Sequence, residues 1–380
     1  MAHVDGPLQR DAAEIAARAE HDLDALVAIS SPSGDVEGAE ACVRLVQELA
    51  PAGATFERLP CSSPRHADDL LVRVRGDATG RRLLLLGHLD TVVAHERHKP
   101  LTRDGERLVG SGAIDMKSGD VLALGVLRAL AARPSRFAEV ALLLVMDEEW
   151  RTGPLAHVER FAGWDACLCF EAGELADDGS DAVIVKRKAA GTLRVEAHGV
   201  AAHAGAAPER GRNALLALAA AAQQVAAAHA PDGPDRLTAV PTILNSGAAF
   251  NVVPADGVLS CDLRSDRTAA FEEARAALPR EIEGVTLDAT LTRVWPAMDA
   301  RAATAPLLDR AATLLGRPIT ANGRGGASDA SHFAPAIPLT VDGLGPRGGR
   351  AHAPEEFLLA SSLLPRAEVA LAIAEAVLAA

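Results

Sequence analysis

The 380-residue chain contains no tyrosine, and aromatic residues make up only 3% of it. No phenol is therefore on hand to stabilise an oxyanion, so other groups must do that work. Basic charge is also short: Lys plus Arg number 38 against 51 Asp plus Glu, a formal charge of −13. That sign excludes general nucleic-acid binding, which depends on neutralising phosphates. No apolar run approaches the roughly 18–20 residues that span a bilayer. The longest, 214–222, stops at Gln223 and Gln224, so no membrane partner is expected. Five cysteines cannot all pair internally, and Cys167-x-Cys169 is neither a redox C-x-x-C nor half of a zinc ribbon. The first residues show neither a basic nor an apolar leader region, and a cytoplasmic location is the expectation.

What is present is a hydrophobic share of 49% and abundant alanine, enough for a real core rich in helix. The length suits one large domain or two. Helical spacing runs over 11–29 and 38–49. Strands are expected at 70–74, 82–86, 139–146 and 167–170, with a helix at 119–132. Apolar strands alternating with helices indicate an α/β fold, a mostly parallel mixed sheet flanked by helices. The texture changes near Lys188. Strand at 191–198, helix at 213–228, strands at 237–244 and 252–264, helix at 268–277 and strand at 285–294 give the ferredoxin-like order β-α-β-β-α-β. After Pro296 a helix at 305–315, a short strand at 338–341 and a terminal helix from about Leu359 follow. The expected organisation is a first catalytic part at 1–188, an inserted α+β domain at 189–294, and a second catalytic part at 295–380.

Acid and histidine clusters fall where these strands end, the ligand-binding edge of open α/β sheets. His88 and Asp90 are two apart in Gly87-His88-Leu89-Asp90-Thr91-Val92, so one can ligate a metal while the other orients the imidazole. Asp115 and Lys117 lie in a glycine-containing segment, and Asp115 stands where a dinucleotide loop needs its third glycine. Asp147-Glu148-Glu149 places three acids directly after a buried strand, which costs self-repulsion unless a cation or solvent relieves it. Glu171 follows another strand, and His352 lies near the C-terminus. His88, Asp115, Glu149, Glu171 and His352 together supply two imidazoles and three carboxylates, a donor set for two divalent ions such as zinc with one carboxylate bridging. No phosphate loop and no G-x-S-x-G elbow occurs. Asp177, Asp178 and Asp181 read as a solvated surface run, and His95, His98 and His332 as non-catalytic.

In order and spacing these motifs resemble the co-catalytic zinc metallopeptidases that include glutamate carboxypeptidase (glucarpidase), aminoacylase and succinyl-diaminopimelate desuccinylase. The resemblance implies two zinc ions per chain. His88, Asp115 and Glu171 would hold one, and Asp115, Glu149 and His352 the other. Glu148 would be the catalytic base, Asp90 would clamp His88, and the peptide bond after Asp115 would be cis. The stretch from Ala202 through His203 to Ala214 matches glutamate carboxypeptidases, which implies a homodimer formed through the insert, with His203 reaching the partner's site. Asn251 in Asn-Val-Val-Pro and Arg264 in Cys-Asp-Leu-Arg match substrate-binding positions. Gly325, Gly326 and Ser328 match a loop whose amides can form an anion nest.

By this resemblance the substrate is a small molecule or short peptide with a free carboxylate, cleaved at an amide to release a C-terminal amino acid. An aminoacylase activity on N-acyl amino acids and, more distantly, a metal-free binding protein are the alternatives. Two features depart from the family pattern. Trp150-Arg151-Thr152 follows the acidic triplet, and Ala189-Ala190 stands where desuccinylases carry arginine.

Overall fold

The computed structural model describes residues 6–77 and 79–379. A six-stranded sheet runs Thr55–Leu59, Asp69–Arg75, Glu139–Val145, Arg82–His88, Ala166–Cys169 and Thr340–Val341 in spatial order. The first two pairings are antiparallel and the other three parallel. Successive residues of a strand point to opposite faces, and the core divides accordingly. Leu83 and Leu85 join a cluster under helices Pro7–Val27, Val36–Leu49, Ser118–Ala131 and Leu363–Leu378. Leu84 and Leu86 join the opposite cluster with Phe161, Trp164 and Phe333. Apolar burial on both faces is what lets four parallel strands lie side by side.

A second sheet, with its own buried cluster, has the spatial order Thr238–Ser246, Asp256–Ser265, Ala189–His198, Val285–Trp295 and Glu281–Ile282, every pairing antiparallel. Helices Ala214–Ala227 and Ala269–Ala276 contribute to that cluster. The strand expected at 252–264 is two pieces, Val252–Val253 and Asp256–Ser265, on either side of Pro254. Proline has no N–H to give a ladder.

Two sequence readings need correction. The terminal helix starts at Leu363, because Phe357–Leu359 instead pairs with Arg107–Val109. Asp181 is buried and opens the strand Asp181–Arg187, which pairs in parallel with Ile319–Arg324. It faces Arg317, Arg347 and Arg366. Its local Asp-Gly-Ser-Asp composition reads as a turn, and the three arginines that stabilise its burial are more than a hundred residues away in sequence.

One glycine determines how close the site can be drawn together. A Cβ at Gly119, in the first turn of Ser118–Ala131, would lie 1.9 Å from the Phe170 carbonyl oxygen. Only glycine lets the turn after Asp115 approach the strand end that carries Glu171.

Candidate active site

Three adjacent parallel strands deliver acids and imidazole to one edge. Arg82–His88 ends in His88, Glu139–Val145 leads into Asp147-Glu148-Glu149, and Ala166–Cys169 leads to Glu171. Asp115 arrives on the irregular segment Ala113–Lys117, and the Asp115–Met116 peptide bond is cis. His352 comes from a C-terminal loop with its backbone at φ 66°, the left-handed region that non-glycine residues rarely occupy outside constrained sites.

Asp115 lies between the two imidazoles. One of its carboxylate oxygens is 3.1 Å from Nε2 of His88 and the other 3.1 Å from Nε2 of His352. Glu149 is 3.2 Å from Nε2 of His352, and Glu171 is 3.9 Å from Nε2 of His88. Nδ1 of His88 lies 3.0 Å from the Asp90 backbone carbonyl, and donation there leaves the Nε2 lone pair for a ligand. The Asp90 carboxylate is 3.4 Å from the same ring and accepts the backbone N–H groups of Glu148 and Glu149 at 3.1 Å each. Asp90 therefore joins the histidine strand to the acidic turn.

Burial pushes the Glu148 carboxyl well above the ordinary range, and nearby Asp329, Glu171 and Glu149 push the same way. Burial likewise takes Glu171 up to about 8, with Asp115 adding to it. Burial opposes protonation of His88, but hydrogen bonds to Asp115 and Asp90 outweigh it and hold the imidazole well above its usual value. His352 is raised to about 10 by its hydrogen bonds to Asp115 and Glu149. The protein groups alone thus balance charge only by adding protons to carboxyls and imidazoles. Divalent cations would supply the same positive charge, and Oε1 of Glu149 is buried without a hydrogen-bond partner. His88, Asp115 and Glu149 can each offer a ligand atom within 4.8 Å of one another. The donor set fits a divalent metal centre.

Beside this cluster is a cavity of about 360 Å³ whose lining includes Glu148, Glu149, Arg264, Arg293, Gly326 and His352. Arg264 faces it with its guanidinium engaged by Asp262 at 3.0–3.2 Å. Gly325 is exposed, and the Gly326 carbonyl accepts from Arg187. Ser328 is buried, with its hydroxyl donating to Asp342 at 2.6 Å. His203, on the short strand Ala202–His203, and Asn251, in a turn, come together elsewhere, and both are exposed. The Asn251 carbonyl accepts from Ala204, and Nδ1 of His203 accepts the N–H groups of Gly205 and Ala206 at 3.1 Å. Neither residue lines the cavity.

The sequence profile of Peptidase family M20/M25/M40 matches residues 84–376, which spans every strand end just described. The chain belongs to this family. It is accordingly a hydrolytic enzyme, a metallopeptidase or amidohydrolase that uses divalent metal. It is 27% identical to carboxypeptidase G2 of Pseudomonas sp. (strain RS-16), covering 90% of this chain and 85% of that one. Over 56% of this chain and 59% of the other, it is 35% identical to the succinyl-diaminopimelate desuccinylase of Azoarcus sp. (strain BH72). The structure of the M20 family metallo-carboxypeptidase Sso-CP2 from Sulfolobus solfataricus has the same fold, with a TM-score of 0.72 at 15% identity over 95% of this chain and 99% of that one.

Three features of this M20 site were not legible as functional in the sequence. Glu356 is buried, and its carboxylate accepts the backbone N–H groups of Gly112, Ile114 and Asp115 at 2.8–3.1 Å, holding the segment that presents Asp115. Arg151 is buried between Asp147 and Asp329 and bonds to both. Arg293 donates to the Glu149 carbonyl at 2.7 Å. An acid pair after proline and two unremarkable arginines carry no signal by themselves, because all three act through contacts distant in sequence.

Proposed function

We propose that the protein is a di-zinc amidohydrolase that releases a C-terminal amino acid from an N-acyl or N-peptidyl amino acid. The observation that carries this reading is the Asp115 carboxylate shared between His88 and His352, with Glu148 beside it in a cavity walled by arginines. His88, Asp115 and Glu171 would hold one ion, and Asp115, Glu149 and His352 the other. Zinc at this donor set would supply Lewis acidity toward a carbonyl and would lower the pKa of a bound water from about 15.7 towards 7.

Glu148 takes a proton from the attacking water as the new C–O bond forms, and returns it to the amide nitrogen as the C–N bond breaks. His203 donates a hydrogen bond to the developing oxyanion of the partner subunit. Because Nδ1 accepts two backbone N–H groups, the ring hydrogen resides on Nε2 and points away from its own loop. Asn251, from the neighbouring turn, would approach the same carbonyl, and the backbone of Gly325 and Gly326 would meet the substrate's far end.

A homodimer formed through residues 189–294 is supported by the free edge strand Thr238–Ser246, which exposes Val240, Ile243 and Leu244. Such an edge invites pairing with a second copy. A cytoplasmic location fits small dipeptide-like substrates, and no helix among the described residues is long and apolar enough to cross a membrane.

The test is a hydrolysis panel of N-acyl and N-peptidyl amino acids, run on zinc-loaded protein alongside Glu148→Gln. Expected are amino-acid release by the parent protein and a loss of about 10²–10⁴-fold in the variant, with zinc content unchanged by elemental analysis. Undiminished turnover in Glu148→Gln, or no amino acid released from any member of the panel, would overturn the proposal.

A further inference from the structure

Phe250 is 101% exposed, the most exposed large apolar side chain among the described residues. It stands in the turn 247–251, between the strands Thr238–Ser246 and Val252–Val253. That turn is braced. The Val252 N–H donates to the Ala249 carbonyl at 3.3 Å, the Asn251 carbonyl accepts from Ala204 at 2.9 Å, and Val252 pairs with His203. A groove with Ala249, Val252 and Pro254 in its lining lies alongside, yet Phe250 does not line it. The ring is thus presented outward on a fixed tip, together with His203. A single exposed apolar residue means little by itself. What gives this one meaning is where a second copy of the chain would carry it.

The second sheet has two ends, and they differ. At one end Thr238 pairs with Arg264, and Ala190 pairs with Arg264 on one side and Trp295 on the other. Ala190, Arg264 and Trp295 all line the cavity beside the candidate metal ligands. At the other end Ser246 pairs with Gly257, and the turn bearing Phe250 follows. The nine residues of Thr238–Ser246, rising about 3.3 Å each, separate the two ends by about 26 Å. Phe250 therefore stands far from the cavity of its own chain.

Thr238–Ser246 is also the free edge of this sheet. Two copies related by a two-fold axis and paired antiparallel along that edge exchange its ends. The start of the strand in one copy then lies beside the end of the strand in the other. The turn 247–251 of each copy arrives at the cavity end of its neighbour.

We propose that Phe250 of the partner subunit forms an apolar wall of this cavity and selects leaving residues with an apolar side chain. The inference rests on the amidohydrolase and homodimer readings above. Besides its charged groups the cavity is lined by Ala190, Ala327 and Trp295, so a nonpolar surface already exists for the ring to complete. A phenyl ring offers a polar side chain no hydrogen-bond partner in exchange for the water it displaces, whereas an apolar side chain gains by losing that water.

The test uses zinc-loaded protein and the N-acetyl derivatives of alanine, leucine, phenylalanine and glutamine. The parent is expected to show kcat/KM at least about tenfold higher for the leucine and phenylalanine derivatives than for the glutamine derivative. In Phe250→Ala that ratio should fall towards one, and Phe250→Leu should keep part of it. Mixing Phe250→Ala protein with an excess of Glu148→Gln protein should bring the ratio back, because each competent site then combines Glu148 of one chain with Phe250 of the other. An excess of the double variant Glu148→Gln/Phe250→Ala over the parent should abolish it. Independently of turnover, a short bismaleimide should join Phe250→Cys chains to Thr192→Cys chains, Thr192 being a cavity residue, and should join neither variant to itself.

A ratio unchanged in Phe250→Ala, a parent that favours the glutamine derivative, or a ratio that follows the chain supplying Glu148 rather than its partner would overturn the proposal. Hydrolysis of the panel with an unchanged ratio and no cross-link would remove this inference and leave the amidohydrolase reading standing. Cross-linking without hydrolysis of any member would overturn that reading and support the position of Phe250 at the partner's cavity.

Discussion

Arg151→Met should both destabilise the protein and disorganise its site, and the size of the effect follows from what the guanidinium touches. The side chain is 1% exposed. It donates from Nε to Asp147 at 3.0 Å and from its two terminal nitrogens to both oxygens of Asp329, which also accepts from the Trp295 indole. Gross charge-assisted bonds of about 1.5–3 kcal/mol each overstate the effect, because removing the cation also removes its own desolvation cost. What remains is two buried acids without a counter-ion, and breaking a buried pair costs about 3–5 kcal/mol. Against a typical total of about 5–15 kcal/mol, that is a large fraction. The deficit should also depend on pH. Burial raises the Asp329 carboxyl, but Arg151 outweighs it and holds it below the usual range. In the parent, that contribution is present above the unfolded value of about 3.9 and is lost only as pH falls through the lower folded value. Without Arg151, burial acts unopposed and the folded value rises above the unfolded one. The variant's own burial penalty is small near about pH 4 and grows as pH rises towards about 8, so the deficit is smaller at the lower pH but persists there, because the parent keeps its contribution. Urea unfolding followed by tryptophan emission at both pH values measures this, and Arg151→Met combined with Asp147→Asn and Asp329→Asn should regain most of the loss. A deficit below about 1 kcal/mol, or one equal at both pH values, would refute the argument.

Two further outcomes follow from the same geometry. Glu356→Gln sets an amide NH₂ against a backbone N–H that the carboxylate now satisfies, so metal affinity should fall by about 10–100-fold, measured by zinc competition with a chelator; unchanged affinity would mean that the Asp115 segment holds itself. Mixing His203→Ala with Glu148→Ala protein should recover activity through hybrid dimers, each containing one site with both groups intact; no recovery after demonstrated subunit exchange would exclude a site shared between chains.

The sequence made the frame of the site readable because its signals were local. His88 and Asp90 two apart, three acids after an apolar run, and a lone acid after another short strand each mark a strand end without outside information. The β-α-β-β-α-β order of the second sheet was equally legible from periodicity. The residues that support those candidates were not. Asp181 looked like surface because its three arginines are far away in the chain, and Arg293 sits at a bulge where the burial alternation of its strand breaks down. Trp150-Arg151 stood out only as a departure from a pattern. Its meaning depended on Asp329, 178 residues away.

In the proposed mechanism, the supporting residues would let Glu148 move a proton while its neighbours keep still. In the turn that carries it, the N–H groups of residues 148 and 149 are held by Asp90, the Glu149 carbonyl by Arg293, and the Asp147 carboxylate by Arg151. These tethers come from a strand end, a bulge in the second sheet, and a clamp to the glycine-rich loop. Among the described residues the Glu148 side chain takes part in no hydrogen bond, although it borders the cavity. A base that must pick up a proton on one side of the reacting carbon and release it on the other needs a fixed backbone and a free carboxylate. Spending a hydrogen bond on that carboxylate would lower its proton affinity and restrict its reach. Rigidity in this turn is therefore built from its main chain and its neighbours, and freedom is left at the one group that the proposed mechanism asks to carry a proton.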